Sequence, residues 1–233
     1  SNGMVIRIAG LAYQKGFGGH FHNDNSIAIF RDIPGVIIAC PSKGDDAVLM
    51  FRACVEAAYQ YGRVCIFIEP IALYTIRDLH NKGDGLWLQT YPVDFDKKIG
   101  IGEFHHQQGD KKLCIVSYAN GYYLSNQAAE TLKSQLGLKV GLVDLRWIAP
   151  LKEVELIEVI GDYENVLIVD ECRKTGSISE ALLSLFYERC PKVPKMKRLC
   201  SEDVFIPLGD AANNVLVQTE QIIAAAKLLI GKS

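Results

Sequence analysis

The spacing of hydrophobic residues changes several times along the 233-residue chain. Three short apolar runs near its start, MVIRIA, GVIIACP and RVCIFIE, are typical of strands that are buried on both faces. Between the second and third runs, apolar residues recur every three or four positions. This spacing predicts a helix, with Ser42 or Asp45 placed to cap its start. Strand, helix and strand in this order predict a parallel sheet with helices on its faces.

Strand and helix patterns alternate regularly through the second half of the chain. The predicted elements are, in order, KLCIVSYA, YYLSNQAAETLKSQLG, KVGLVDLR, PLKEVELIEVIG, NVLIVDE, SISEALLSLFYER, KMKRLCS and TEQIIAAAKLLIG. Gly137 and Gly161 stand where two of the helices would end, and Pro150 stands near the first turn of another. Repeated β-α units of this kind predict a three-layer α/β/α domain with a mostly parallel sheet.

The region between the two halves shows no regular spacing of hydrophobic residues. Glycine, aspartate, lysine and proline are mixed there, which indicates a connector in which Trp87 and Leu88 would pack against a neighbour. The first half has three strands and one full helix, which is few for a parallel sheet covered on both faces. We therefore expect it to borrow a neighbour or to be part of a larger domain. The predicted organisation is a first segment at 1–76, a connector at 77–98 and a complete α/β domain at 99–233.

The overall composition excludes several classes of protein. The formal net charge is -2, and lysine and arginine form no long cluster, so we do not expect a nucleic-acid binder. The longest apolar runs are too short to cross a bilayer, so no membrane protein is expected. Seven cysteines without C-x-x-C spacing argue against a disulfide framework or structural zinc. Together these observations predict a protein of the reducing cytoplasm.

The segment GGHFHNDN is the first candidate for chemistry, because it places His20, His22 and Asp24 on alternate positions. A metal site, a proton-transfer site and a polar loop are all consistent with this pattern. For an arbitrary pair of histidines the polar loop is the usual explanation. Here, however, three nearby glycines allow close approach of a ligand, and the loop follows a buried strand, where α/β active sites gather.

A metal site is the less favoured of these interpretations. The pattern H-x-H-x-D resembles the opening of the metallo-β-lactamase motif, but Asn25 stands where that motif has another histidine. The later histidines are few, and the β-α alternation conflicts with that fold. Two histidines and a carboxylate are still enough for one zinc ion, so a mononuclear zinc hydrolase stays an alternative. We predict that the chain binds no metal.

Three further motifs have simpler explanations. GIGEFHHQQG lacks the third glycine and the preceding strand of a dinucleotide fingerprint, which favours a turn with a solvated histidine pair. KTGS could hold an anion at the start of a helix, but a hydroxyl there is first an N-cap. VDLRWIAP places Asp144 and Arg146 on alternate positions, which predicts a structural ion pair that fixes the following turn.

Four motifs in a fixed order carry a resemblance to a known family. They are HFHNDN, VIIACPSKGDDA, CIFIEPIALY and VDLRWIAP. In this order they resemble the beta subunit, or beta-like half, of the thiamine-diphosphate-dependent component of 2-oxo acid dehydrogenase complexes. The family's segments read approximately Y-H-S-Q-S, P-G-L-x-V-V-x-P-S-x-x-x-D-A, E-P-x-x-L-Y and D-L-R-x-I-x-P. The resemblance extends over essentially the whole chain from Met4 onward.

The resemblance implies a role for the histidine segment. His22 corresponds to the family's active-site histidine, while Asn23, Asp24 and Asn25 replace the usual Ser-Gln-Ser. This departure leaves the roles of the neighbouring residues open. His20 would orient the active-site histidine, line the entrance or be structural. The segment SEDVFIPLG also differs from the usual beta-subunit ending, which suggests a divergent or fused version of the enzyme.

The resemblance also implies a cofactor and partners. Residues 1–76 would be the C-terminal part of a pyrimidine-binding domain, and 99–233 a transketolase C-terminal-type domain. Thiamine diphosphate with Mg2+ would be bound in the complete enzyme, mostly by parts that this chain does not contain. The expected partners are an alpha subunit or alpha domain, a lipoyl-bearing acyltransferase and a second copy of the chain. We expect the chain alone to be folded but inactive.

Two other functions remain open. A transketolase or deoxyxylulose-phosphate synthase fragment would share the domain plan. Such an enzyme needs basic residues for a sugar phosphate, and few lie near HFHNDN. A non-catalytic assembly module is the other possibility, since the C-terminal domain mainly makes subunit contacts in the family that the motifs resemble.

Overall fold

A computed structural model describes residues 2–13 and 24–232 of the chain. Within these ranges the strands are β1 (Met4–Gly10), β2 (Ile37–Ala39), β3 (Val64–Pro70), β4 (His105–Gln107), β5 (Cys114–Ser117), β6 (Gly141–Asp144), β7 (Trp147–Ala149), β8 (Asn165–Arg173) and β9 (Lys195–Ser201). The α-helices are α1 (Ala28–Arg31), α2 (Gly44–Tyr61), α3 (Ala119–Leu136), α4 (Glu153–Gly161), α5 (Ile178–Arg189) and α6 (Thr219–Leu229). Two 3-10 helices span Ile71–Leu73 and Gly209–Asn214.

The first sheet has the strand order β1-β3-β2-β7. Both β1 and β2 run parallel to β3, as the first three apolar runs predict. The fourth strand was not predicted. It comes from the second half of the chain and pairs antiparallel with β2, so that Trp147 lies opposite Ala39. The two halves of the chain therefore share one sheet.

The second sheet has the order β4-β6-β5-β8-β9, and all its neighbouring strands are parallel except β4 and β6. This confirms the predicted α/β class with a mostly parallel sheet. The interpretation of GIGEFHHQQG as a solvated turn is wrong, because His105 and His106 lie in β4. Both histidines are partly buried, and His106 Nε2 lies 2.9 Å from the Tyr163 hydroxyl. Burial lowers the pKa of both imidazoles.

Helices cover both faces of the second sheet. Side chains alternate along β5, so Ile115 packs on the side of α3 and α6, while Cys114 and Val116 face α4 and α5. The predicted three-layer arrangement is therefore present. One face of the first sheet packs into the same core as α4 and α5, and its other face is covered by α2. The first segment thus covers its sheet with one helix of its own and with the second half of the chain.

The region between Leu73 and His105 forms no regular strand or helix in the described chain. Trp87 is buried in it and packs edge-on against Tyr123, with ring centroids 5.0 Å apart. Leu88 is exposed, so its predicted packing is wrong. Arg52 of α2 fixes the far end of this region by donating hydrogen bonds to the backbone carbonyls of Pro92, Asp94 and Lys97. The domain boundaries at 76 and 98 stay predictions.

The start of α2 differs from the predicted cap. Lys43 occupies the N-cap position without a side-chain hydrogen bond to the helix. Asp45 lies inside the first turn, where its carboxylate accepts a hydrogen bond from the backbone N–H of Asp46 at 2.9 Å. The Ser42 hydroxyl is buried and has no hydrogen-bond partner in the described chain. The backbone donors at this end of the helix therefore remain only partly satisfied.

Candidate active site

The segment that holds the predicted histidine site lies mostly outside the described residues. His20, His22 and Asn23 are not among them, and the described chain resumes at Asp24. On the other side, the last described residue is Tyr13, whose hydroxyl donates a hydrogen bond to the Val217 carbonyl at 2.8 Å. The flank at Tyr13 therefore contacts the second half of the chain, and so does the flank at Asp24, through Arg173.

Asp24 is held by a network that sequence reasoning missed. Its carboxylate accepts hydrogen bonds from the backbone N–H and the hydroxyl of Ser26, at 3.0 and 2.6 Å. Arg173, the last residue of β8, donates to the same carboxylate at 2.9 Å and to the Ser26 hydroxyl. Arg173 also donates to the Val204 carbonyl and lies 5.5 Å from the ring centre of Phe205. One guanidinium therefore fixes the return of the histidine segment to the end of β8.

Two adjacent buried carboxyls precede this arginine in β8. Successive side chains of a strand point to opposite faces, so Asp170 and Glu171 reach different helices. Glu171 accepts hydrogen bonds from the backbone N–H of Asn120 at 2.8 Å and from its side-chain amide at 2.7 Å, at the start of α3. Asp170 accepts from the backbone N–H of Ser179 at 3.0 Å, at the start of α5. Each carboxyl thus caps the positive end of a helix dipole.

The carboxyl pair also supports the residues next to the histidine segment. Asn25 is buried, and its side-chain amide donates to the Glu171 carbonyl at 3.2 Å. The Tyr118 hydroxyl donates to Asp170 at 2.7 Å and lies 3.1 Å from the Cys172 sulfur. Burial raises the pKa of Glu171 to about 8, although hydrogen bonds from Asn120 and Gly121 oppose the shift. These groups form a buried polar cluster that contacts Asn25.

The predicted ion pair between Asp144 and Arg146 is wrong. The Arg146 guanidinium instead forms two hydrogen bonds with the carboxylate of Asp46 in α2, at 2.8 and 2.9 Å. Residues on alternate positions share a face only while a strand continues, and β6 ends at Asp144. Arg146 has a positive φ of 60°, which turns its side chain away from the direction that the strand would give it. Among the described residues, Asp144 accepts a hydrogen bond from the backbone N–H of Arg146, at 3.1 Å.

Asp144 is buried and forms no salt bridge with the described residues. Burial raises its pKa to about 7; the nearby Asp46 adds to the shift, and Ser42 and Arg146 oppose it. The Ser42 hydroxyl lies close enough to influence the carboxyl, but it is not in hydrogen-bond geometry with it, since Ser42 Oγ and Asp144 Oδ2 both lack partners in the described chain. The neutral acid is therefore the stable form in the folded protein below neutral pH.

Replacing Asp144 by asparagine should flatten the dependence of stability on pH. An unfolded aspartate titrates near pH 4, whereas the folded group titrates at about 7. The folded state holds this proton more tightly than the unfolded state. The resulting contribution to stability is therefore complete below about pH 4 and is lost as the pH rises to about 7. In the unmodified protein this acid should therefore make the free energy of unfolding fall by up to about 1.4 kcal/mol per pH unit between these values. Asp144→Asn should abolish that fall, as measured by urea unfolding at a series of pH values. Asp45→Asn is the control, and an unchanged profile for Asp144→Asn would refute the assignment.

The backbone N–H groups of Thr175 and Gly176 in the KTGS turn already have acceptors. Asp203 accepts hydrogen bonds from the backbone N–H and the hydroxyl of Thr175, at 2.9 and 2.6 Å. Glu180 accepts the backbone N–H of Gly176 at 2.9 Å. Ser177 stands at the N-cap of α5, as predicted, but its hydroxyl is hydrogen-bonded to that of Ser179. This turn is a structural element of the fold.

All seven cysteines are unpaired, as predicted, and five of them are buried. Residues 2–13 and 24–232 contain no group of three or more His, Cys, Asp or Glu side chains arranged to hold a metal ion. The same ranges contain no helix that is both long and apolar enough to cross a membrane.

The second half of the chain matches a known protein family. The family described as "Transketolase, C-terminal domain" matches residues 102–222, which cover β4 to β9 and the first turn of α6. The chain belongs to this family. A solved structure titled "Split gene transketolase, inactive beta4 tetramer" covers 97% of the chain with a TM-score of 0.70. The identity is 17%, and 66% of that chain is covered, so this similarity is evidence for the fold and not for the function.

Two kinds of curated protein are similar to this transketolase C-terminal domain protein. The chain is 27% identical over 189 residues to the 2-oxoisovalerate dehydrogenase subunit beta of Bacillus subtilis, covering 80% of the chain and 53% of that subunit. It is 26% identical to the 1-deoxy-D-xylulose-5-phosphate synthase of Helicobacter hepaticus, covering 80% of the chain and 27% of that enzyme. The chain thus spans about half the length of the beta subunit that it matches. These similarities confirm the resemblance to beta subunits found in the motifs.

Proposed function

We propose that the chain provides the beta part of a thiamine-diphosphate-dependent 2-oxo acid dehydrogenase. Such an enzyme decarboxylates a 2-oxo acid and transfers the acyl group to lipoyl. The observation that carries the proposal is the similarity to a beta subunit over 189 residues, which is too long to lie within the transketolase C-terminal domain match alone. It therefore includes part of the first segment. Both kinds of relative are thiamine-diphosphate-dependent enzymes, which supports the cofactor at the level of the family.

The proposed roles combine the sequence motif with the surroundings of Asp24. His22 is the proton carrier, because an imidazole titrates near neutral pH and can hold or release a proton during acyl transfer. His20, Asn23 and Asp24 are its neighbours. Arg173 and Ser26 hold the carboxylate of Asp24 in place, and Glu171 anchors the adjacent Asn25 through its backbone carbonyl. The site is therefore fixed to β8 on its C-terminal side.

The cofactor requires groups from a partner. When bound, thiamine diphosphate supplies the ring that stabilises the carbanion of the decarboxylated substrate. We assign its diphosphate and Mg2+ to an alpha subunit or alpha domain. The one Gly-Asp-Gly sequence of the chain is centred on Asp84, whose carboxylate is occupied by backbone N–H groups of its own loop, and the described residues hold no cluster of metal ligands. A lipoyl-bearing acyltransferase and a second copy of the chain complete the proposed assembly. We place it in the cytoplasm.

A deoxyxylulose-phosphate synthase or transketolase activity is the second candidate, since one group of relatives has the former name. A sugar-phosphate substrate would need free cationic groups at the site. Arg173 is the arginine that contacts Asp24, and its guanidinium is already paired with that carboxylate. This pairing favours the dehydrogenase. A non-catalytic assembly module and a zinc hydrolase have no further support among the described residues.

The test is co-expression of the chain with the alpha subunit of a 2-oxo acid dehydrogenase. The purified complex should consume pyruvate or a branched-chain 2-oxo acid and acylate a lipoyl domain, whereas the chain alone should do neither. The same complex should form no deoxyxylulose phosphate from pyruvate and glyceraldehyde 3-phosphate. Synthase activity without lipoyl acylation would replace the proposal by the second candidate.

In the same complex, His22→Ala should reduce lipoyl acylation by about two orders of magnitude, the usual scale for a lost proton carrier. Affinity for thiamine diphosphate should change little, because the cofactor is held mainly by the partner. His80→Ala, in the connector, is the matched control and should retain full activity. Normal acylation by the His22 variant would show that this histidine is structural.

A further inference from the structure

A cleft of about 670 Å³ opens between the first sheet, the start of α2 and the connector. This volume is in the range of small-molecule binding sites. Binding of a small molecule in this cleft would not depend on the proposed enzyme activity. Its lining combines charged side chains with the aromatic rings of Phe51 and Trp87.

The walls of the cleft are apolar and fixed in position. Phe51 of α2 packs edge-on against Phe67 of β3, with ring centroids 5.3 Å apart. Trp87 of the connector also lines the cleft and is held by its contact with Tyr123. Fixed aromatic walls can bind an apolar group with little loss of side-chain freedom. They suit the apolar body of a small molecule.

The charged groups of the cleft are mostly cationic. Arg7, Lys43 and Arg52 line it, together with one carboxylate, Glu69. Glu69 is paired with Arg7, and Arg52 is committed to the backbone carbonyls of the connector. Lys43 has no carboxylate partner within residues 2–13 and 24–232. The protein as a whole has a formal charge of -2, so this local excess of positive charge favours an anionic ligand.

Lys43 and Ser42 are neighbours in the lining of the cleft, at the start of α2. The Lys43 ammonium lies 5.6 Å from the ring centre of Trp87 and 6.0 Å from that of Tyr122, which holds it between two aromatic faces. Ser42 is only 4% exposed, and its hydroxyl has no partner in the described chain. Buried hydroxyls normally have a partner, and the neighbouring Asp144 carboxyl is not in hydrogen-bond geometry with this one, so the hydroxyl can still donate to a ligand.

The start of α2 adds to the attraction for an anion. The helix has 18 residues, and its positive end lies beside Lys43. A side chain added at Gly44 would meet no atom within 4 Å, so the backbone there is open to a ligand. The acidic first turn opposes this effect only in part. The Asp46 carboxylate is neutralised by Arg146, and Asp45 bonds to the backbone of its own turn.

We propose that this cleft binds a small organic acid, with its carboxylate on Lys43 and Ser42 and its apolar body between Phe51 and Trp87. One ammonium and one hydroxyl match the two oxygens of a carboxylate. A phosphate has three terminal oxygens, of which only two would each face one of these side chains. The cleft therefore selects an amphipathic carboxylate over an organic phosphate and over an uncharged molecule of the same shape.

The test is calorimetric titration of the chain with three probes that share a phenyl group: 4-phenylbutyrate, its neutral amide and 3-phenylpropyl phosphate. The carboxylate should bind in a saturable manner and change the fluorescence of Trp87. Its affinity should exceed that of the amide by about tenfold, the scale of one charge-assisted hydrogen bond. The phosphate should bind less tightly than the carboxylate.

Two lysine variants make the test specific. Lys43→Met should lower the affinity for 4-phenylbutyrate by about tenfold and leave that for the amide unchanged. Lys82→Met, on the exposed part of the connector, should leave all three affinities unchanged. Unchanged melting temperatures would show that both variants fold. Equal binding of acid and amide, or an unaffected Lys43 variant, would overturn the proposal, and tighter binding of the phosphate would overturn the choice of carboxylate.

Discussion

Replacing Asp46 by alanine should lower the free energy of unfolding by about 3–5 kcal/mol, the usual cost of breaking a buried ion pair. The side chains of Asp46 and Arg146 are only 7% and 15% exposed, so solvent screens their interaction weakly. The variant leaves a guanidinium without its two hydrogen bonds at the junction of the two halves of the chain. Urea unfolding at neutral pH measures the loss.

A double variant distinguishes the effect of the ion pair on stability from the effect of side-chain packing. Asp46→Ala combined with Arg146→Met removes both charges and keeps an apolar stem at position 146. Because replacing both partners of a buried pair is often nearly neutral, it should recover most of the lost stability. If the double variant is as unstable as the single one, packing rather than charge holds α2 against β6 and β7.

The second large effect is expected at Glu171. Glu171→Ala should lower the free energy of unfolding by about 3 kcal/mol or more, because each buried donor that loses its partner costs about 1–3 kcal/mol. The lost partners are the backbone N–H and the side-chain amide of Asn120, with a weaker contact from the backbone N–H of Gly121. All three groups are buried at the start of α3. Urea unfolding of the variant measures this loss.

Glu171→Gln is the matched control for this residue. The glutamine keeps one acceptor oxygen for the backbone N–H groups. The Asn120 amide can turn so that its oxygen faces the new amide group. We expect less than half of the loss seen for Glu171→Ala. Equal losses in the two variants would show that the helix cap does not depend on the acceptor atoms of this side chain.

The long elements could be predicted from the sequence because each carries its own pattern. Strands such as β3 and β8, and helices such as α2 and α3, extend over enough residues for a period to be visible. The strands β4 and β7 have three residues each, HHQ and WIA, and no period can appear in so few positions. Their strand conformation comes from pairing with β6 and β2, which are distant in the sequence.

The candidate site was predictable only in part, for the same reason. The histidine segment could be found because its residue types lie next to one another in the sequence. Arg173 and Asp46 could not, because each is joined to its partner over more than 90 positions. Asp144 was the nearest acid to Arg146 in the sequence, yet the positive φ of Arg146 directs its side chain to another element. Local spacing cannot contain this information.

The insertion of β7 beside β2 has a consequence for the protein during its synthesis. A nascent chain emerges from the ribosome in order, so β2 is outside the exit tunnel long before β7 is made. During that interval the strand Ile37–Ala39 has an open and fully apolar edge, which can pair with other unfinished chains. The first segment therefore depends on residues translated much later to close its sheet, and a pause in translation between the two strands would favour aggregation on the ribosome.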